Sequence, residues 1–235
     1  GPPAAGAGPG PAAGRWGPHT APIDWCEANY AVTGLVAEFW NTITCAVYVA
    51  AAIVALLDVR PTKRSVPDEP PPACYIVYAV ALAMTGICSA VFHATLWWWG
   101  QKTDEIWENV TLLALLYMQS ERGLALAALH STVVCAAALL IPQVFVELHV
   151  ALTVACMLHV YHGLAASHTA LQPPVRRAAA AGLAGFGCWL LDKTACAALP
   201  GTTQLLQLHA WWHVFTALGL YYAGAGALLA HRLGG

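Results

Sequence analysis

Charged side chains are so sparse in this chain that they act as rulers. An ionised group at the centre of a bilayer costs at least a few kcal/mol, so stretches without one are candidate membrane spans. Reading from charge to charge gives uncharged runs at 39–57, 70–101, 109–120, 123–146, 148–175, 178–191 and 194–231. Five of these seven runs approach or exceed the roughly 20 residues a helix needs to cross about 30 Å of hydrocarbon. The run at 109–120 extends backwards through Asp104, Glu105 and Glu108, and the run at 178–191 extends into Arg176, Arg177 and Asp192. Those side chains can snorkel or face a polar interior. The pattern predicts an all-α integral membrane protein, a bundle of seven transmembrane helices.

Composition supports this division. Of 235 residues 59% are hydrophobic and 9% charged, where a soluble domain has about 45–50% and about 25%. An ordinary soluble protein is excluded. Ten Lys and Arg against twelve Asp and Glu give no basic face, hence no nucleic-acid partner. Eight cysteines without a CxxC pair argue against a zinc ribbon or a small disulfide scaffold and read mostly as core residues. Pro61, Pro67, Pro70 to Pro72, Gly100, Gly123, Pro142, Pro173, Pro174, Pro200 and Gly201 punctuate the connections. A β-barrel would instead show alternating segments of about ten residues.

Residues 1–22, rich in Gly, Pro and Ala, read as a flexible tail without the apolar core of a signal peptide. An acidic segment over 23–38 and the helical domain over 39–232 follow. With the N-terminus outside or luminal, the inner side holds Arg60, Lys63, Arg64, Arg122, Arg176, Arg177 and Arg232, and the outer side only Arg15, Lys102 and Lys193. The positive-inside rule therefore predicts a luminal N-terminus and a cytosolic C-terminus. Trp97 to Trp99 read as outer interfacial belt residues.

This topology gives each polar residue a depth. A helix over about 73–96 brings Ser89 and His93 to its outer end, the next starts outside at about Asp104, and the last, about 205–230, carries His209 and His213 at its own outer end. The i,i+4 spacing of His209 and His213 places both imidazoles on one helical face. Three neutral imidazoles with an open fourth position make a catalytic zinc arrangement with water as fourth ligand. Ser89, one turn before His93, can donate to an oxyanion, and Asp104 can accept a proton from metal-bound water. Glu108 shares a face with Asp104 and is the rival base. His149, His159 and His162 have no spacing that ties them to this set.

A second cluster, Asp24-Trp25-Cys26-Glu27-Ala28-Asn29 followed by Glu38, offers hard oxygen ligands in excess of nearby cations, which suits calcium although it does not match an EF-hand loop.

DWCEANY at 24–30, AEFWN at 37–41, Ser89-x3-His93 with Asp104, CWLLD at 188–192 and HAWWH at 209–213 together resemble the alkaline ceramidases, a family of seven-helix membrane hydrolases. The resemblance runs from Asp24 over most of the chain. It implies cleavage of the amide of ceramide, phytoceramide or dihydroceramide into a sphingoid base and a free fatty acid, in the membrane of the endoplasmic reticulum or Golgi. It implies zinc held by His93, His209 and His213, with Asp104 acting on the metal-bound water and Ser89 on the oxyanion. Calcium would be held by Asp24, Trp25 through its backbone carbonyl, Glu27, Asn29 and Glu38. A disulfide between the N-terminal segment and the last outer loop is also implied, which Cys26 and Cys196 fit. The rival class is a seven-helix receptor of the adiponectin- and progestin-receptor kind, whose site is similar but whose N-terminus is cytosolic. A metal-bearing bundle without turnover is a third reading.

Overall fold

Helix α1 (Phe39–Thr44) begins one residue after Glu38, whose own side chain does not cap it. Its first amide groups are taken instead by a distant carboxylate: Glu27 accepts the N–H of Trp40 at 2.7 Å and of Asn41 at 2.9 Å. Negative charge at a helix N-terminus is favoured by the macrodipole. A break at Cys45 separates α1 from α2 (Ala46–Asp58), and the two together make a span of 20 residues over Phe39–Asp58.

The structure is a computed structural model that describes residues 14–58, 73–118, 161–166 and 168–233, together with positions 129, 132–133, 154–155 and 157–159. The remaining named helices are α3 (Ala73–Thr95), α4 (Trp98–Tyr117), α5 (Gln172–Ala195), α6 (Pro200–Leu206) and α7 (Leu208–Arg232). Among the described residues there is no β-strand, only an isolated bridge between Thr33 and Val36. Among the described residues, three stretches are long and apolar enough to cross a membrane: Phe39–Asp58, Ala73–Thr95 and Leu208–Arg232. Helices α4 and α5 have 20 and 24 residues but carry four charged residues each. The runs at 123–146 and 148–175 fall largely outside the described residues, and His149 lies outside them.

Boundaries at α4 and α5 differ from the expected ones, and the last helix starts at Leu208 after the separate α6. Helix α4 begins at Trp98 rather than near Asp104. Leu96 turns the chain with a left-handed backbone, φ 53°, and the Thr20 hydroxyl accepts the N–H of Trp98 at 2.9 Å, so the helix restarts at once. Pro173 and Pro174, expected to break a connection, sit in the first turn of α5. A first-turn proline gives up an amide that has no intrahelical partner anyway.

The described residues fall into two compact units. The first comprises those of Gly1–Ala51, Ala83–Trp107 and Ala181–Leu218. In it the N-terminal segment wraps the Leu96 corner: Thr20 and Ala21 donate to the Leu96 carbonyl at 3.1 and 3.0 Å, and Ala21, Ala37, Phe92 and Leu96 are buried together. Residues 16 and 20–21, within the expected tail, are thus held in place, and the Trp16 indole donates to the Leu35 carbonyl at 2.6 Å. Trp97 bonds the Trp16 carbonyl, whereas Trp98 and Trp99 are exposed. The second unit comprises the described residues of Ala52–Leu82, Glu108–Ala180 and Gly219–Gly235. Its core groups Ala55, Tyr75, Ala79 and Leu228, and the Tyr78 hydroxyl donates to the Leu220 carbonyl at 2.6 Å.

Gly86 lets α3 approach the break between α1 and α2. A Cβ there would stand 2.7 Å from the Cys45 carbonyl oxygen and 2.8 Å from Tyr48 Cβ. Gly86→Ala is therefore expected to destabilise the fold by about 1–3 kcal/mol through overpacking. Thermal unfolding in detergent measures this, and an unchanged midpoint would contradict the close approach.

Candidate functional site

His93 lies in the last turn of α3, His209 in the first turn of α7 and His213 one turn later. All three are buried, with ring centroids 4.7 to 5.1 Å apart in each pairing. Their nitrogens have different partners. His93 Nδ1 stands 2.5 Å from Glu38 Oε2. His213 Nδ1 lies 3.1 Å from the Asn41 carbonyl oxygen, which can only accept, so this nitrogen carries the proton. Bonds of this kind select the ring tautomer and leave Nε2 with its lone pair. His209 Nδ1 is buried without a hydrogen-bond partner, and its ring stacks on Trp25 at 3.7 Å and 20°.

Cys45, fully buried, joins this group. One ligand atom each from Cys45, His93 and His213 lie within 4.8 Å of one another, a group that could bind a metal such as zinc. From the sequence most of the cysteines are expected to be core residues. Cys45 is core, and its thiol also stands 3.6 Å from His213 Nδ1 while donating to the Asn41 carbonyl at 3.0 Å. No local spacing announces this, because Asn41 and Cys45 sit in an apolar run.

Ser89, one turn before His93, donates to Asp104 Oδ2 at 3.3 Å, and both residues are buried. Cys45 is hydrogen-bonded with Ser89 and feels the charge of Asp104, so the serine–aspartate pair adjoins the histidine group. The carboxylate paired with Ser89 is that of Asp104; Glu108 is half-buried one turn further along. His159 and His162 are exposed.

The acidic segment is drawn together by the same residues. Glu38 is completely buried: Oε1 accepts the N–H of Trp25 at 3.0 Å, and Oε2 accepts from the Asn41 amide at 3.0 Å as well as facing His93. Asn29 donates to Asp24 Oδ1 at 3.0 Å, and its own Oδ1 is buried without a hydrogen-bond partner. Burial pushes the Glu27 carboxyl up to about 7, with the charge of Glu38 adding to the effect. Burial, then the charge of Asp24, pushes Glu38 up to about 8. Oxygen donors crowded in this way, one of them orphaned, fit a hard divalent cation, which would hold both carboxylates ionised. A disulfide joins Cys26 to Cys196.

The ceramidase family profile matches residues 17–232. The chain is 29% identical to alkaline ceramidase 3 of Mus musculus and 28% identical to an alkaline ceramidase of Arabidopsis thaliana, in each case over 88% of this chain and 83% of the relative. It is 27% identical to alkaline ceramidase YPC1 of Saccharomyces cerevisiae, over 89% of this chain and 76% of the relative.

The disulfide closes a loop of 170 residues, and removing such a link typically costs about 2–5 kcal/mol. Cys26→Ser is expected to lower the unfolding temperature, and alkylation of the folded parent should spare Cys26 and Cys196 until a reductant is added. Immediate labelling of either would contradict the bond.

Proposed function

The chain belongs to the ceramidase family, and on that premise we propose that it is a zinc-dependent amide hydrolase. It splits ceramide, phytoceramide or dihydroceramide into a sphingoid base and a free fatty acid. The observation that carries this reading is the trio of buried imidazoles, with two Nδ1 atoms tied back to Glu38 and Asn41, beside a hydrogen-bonded Ser89 and Asp104.

His93, His209 and His213 hold the zinc. Three imidazoles leave a coordination position for water or substrate, as a catalytic site needs. The Cys45 thiol, which donates to the Asn41 carbonyl and stands by His213 Nδ1, adjoins these three rings. When bound, zinc supplies a Lewis acid for the amide carbonyl and lowers the pKa of its water. Asp104 takes the proton of the attacking water and passes it to the departing amine. The Ser89 hydroxyl, donated to Asp104 Oδ2 in the resting site, turns to the oxygen on which negative charge develops. Glu38 and Asn41 keep His93 and His213 in register throughout.

Asp24, the Trp25 carbonyl, Glu27, Asn29 and Glu38 hold a calcium ion. The orphaned Asn29 oxygen and the raised carboxyls support this. Glu38, which touches both Trp25 and His93, would link a calcium ion held there to the histidine end. The N-terminus faces the lumen of the endoplasmic reticulum or Golgi and the C-terminus the cytosol. The Cys26–Cys196 disulfide supports this orientation, since such bonds persist on the oxidising side.

His213→Ala is expected to lose zinc and sphingoid-base release together, and stoichiometric zinc with normal turnover would overturn the ligand set. Chelation of the parent should abolish release, and added zinc should restore it. Asp104→Asn should retain zinc while turnover falls about 10²–10⁴-fold, measured on a ceramide panel; a near-parental rate would shift the acid–base role to Glu108. Calcium should raise the parent's unfolding temperature and activity but leave Glu38→Ala unaffected. A parent indifferent to calcium would remove the calcium site.

A further inference from the structure

Trp189 and Asp192 stand at i and i+3 on one face of α5, and Cys196 follows in the turn just after its end. Each reaches a different part of the site. Cys196 carries the disulfide to Cys26. Trp189 packs edge-on against Trp25 at 6.3 Å and lies beside Trp212 at 6.4 Å. Asp192, only 2% exposed, accepts the N–H of Cys26 at 3.2 Å and faces the backbone N–H of His209, which favours its charged form.

The first of these bonds sets the direction of an oxygen. The N–H of Cys26 and the carbonyl of Trp25 belong to one peptide group, which is planar and trans, so holding one orients the other. That carbonyl is the backbone ligand proposed for calcium. The second contact lies at the start of a helix. His209 stands in the first turn of α7, where backbone amides have no partner within the helix. A carboxylate there makes charge-assisted bonds and meets the positive end of the macrodipole. The residue joining α6 to α7, Gln207, has a left-handed backbone with φ 51°, so α7 does not simply continue α6 and needs an outside anchor.

The same carboxylate thus meets the residue after Trp25 and the backbone of His209, the two sides of the stacked Trp25–His209 pair. We propose that Asp192 is a positioning residue for both metal sites, acting through the Trp25–Cys26 peptide on calcium and through the His209 backbone on zinc. It touches neither ion nor substrate, and the inference rests on the three-histidine and calcium assignments above.

The test follows zinc release to excess chelator from the purified, zinc-loaded full chain in detergent, and the calcium concentration giving half-maximal thermal stabilisation. Asp192→Ala should release zinc about 10–100-fold faster and need more calcium. Asp192→Asn, which keeps an acceptor oxygen but not the charge, should fall between it and the parent. Tyr78→Phe, which removes the hydrogen bond to Leu220 in the other unit, should lower the unfolding temperature without moving either readout, and so separates positioning from general loosening. Parental zinc release in both Asp192 variants, with accelerated release in His209→Ala, overturns the proposal and leaves the zinc assignment standing. Parental release in His209→Ala as well removes the zinc assignment and the proposal with it. Should Asp192→Ala not fold, the same criterion applies to Asp192→Asn.

Discussion

The site depends on a carboxylate that has been taken entirely out of water. Glu38 is 0% exposed, and an ionised carboxylate in such a place is unfavourable unless its oxygens are bonded. Every bond it makes therefore constrains something: the Trp25 amide, the Asn41 side chain and the His93 ring. Because Trp25 lies in the N-terminal segment, Asn41 in α1 and His93 in α3, one side chain ties three elements to a common point. The break at Cys45 and the bare Gly86 allow the approach that this geometry demands.

Around that point the polar groups are matched in pairs. Asn41 offers its amide to Glu38 and its carbonyl to His213, and Glu27 takes the first amides of α1. Ser89 and Asp104 answer each other. The unmatched atoms include His209 Nδ1 and Asn29 Oδ1, one beside the imidazoles and one in the acidic segment. Buried polar atoms are rarely left unpaired in native proteins, and Trp25 Nε1 and Asn41 Oδ1 stand with these two in the same region. The disulfide and Asp192 hold the N-terminal segment against this end.

Much of this was legible from spacing. The i,i+4 pair His209 and His213 could only share a face, and Ser89 and His93 likewise, since helical periodicity is local. Matching these faces by depth needed no more than span lengths, and it brought His93 within reach of the other two. What could not be read was the far side of each ring. Glu38 lies 55 residues from His93, and Asn41 lies 172 residues from His213. Neither separation has a periodic signature. Cys45 was hidden for a simpler reason: a buried thiol and a metal-capable thiol look alike in an apolar run. Asp192 was visible within CWLLD, but its partners are backbone amides, which every residue possesses and no sequence advertises.

Helix limits divide the same way. Prolines 173 and 174 mark a boundary whichever side the helix takes, and only the packed chain put them inside α5. The start of α4 at Trp98 depended on Leu96 adopting a left-handed turn that the N-terminal segment braces. Sequence by itself determined the class of molecule and the spacing of its chemistry, because scarcity of charge and the 3.6-residue turn act within each helix. Tertiary structure alone decided which ring nitrogens of His93 and His213 meet Glu38 and Asn41, which carboxylate is buried and which thiol joins the histidines. Those properties depend on atoms brought together from distant parts of the chain, and burial converts their proximity into a preference for one protonation state and one direction.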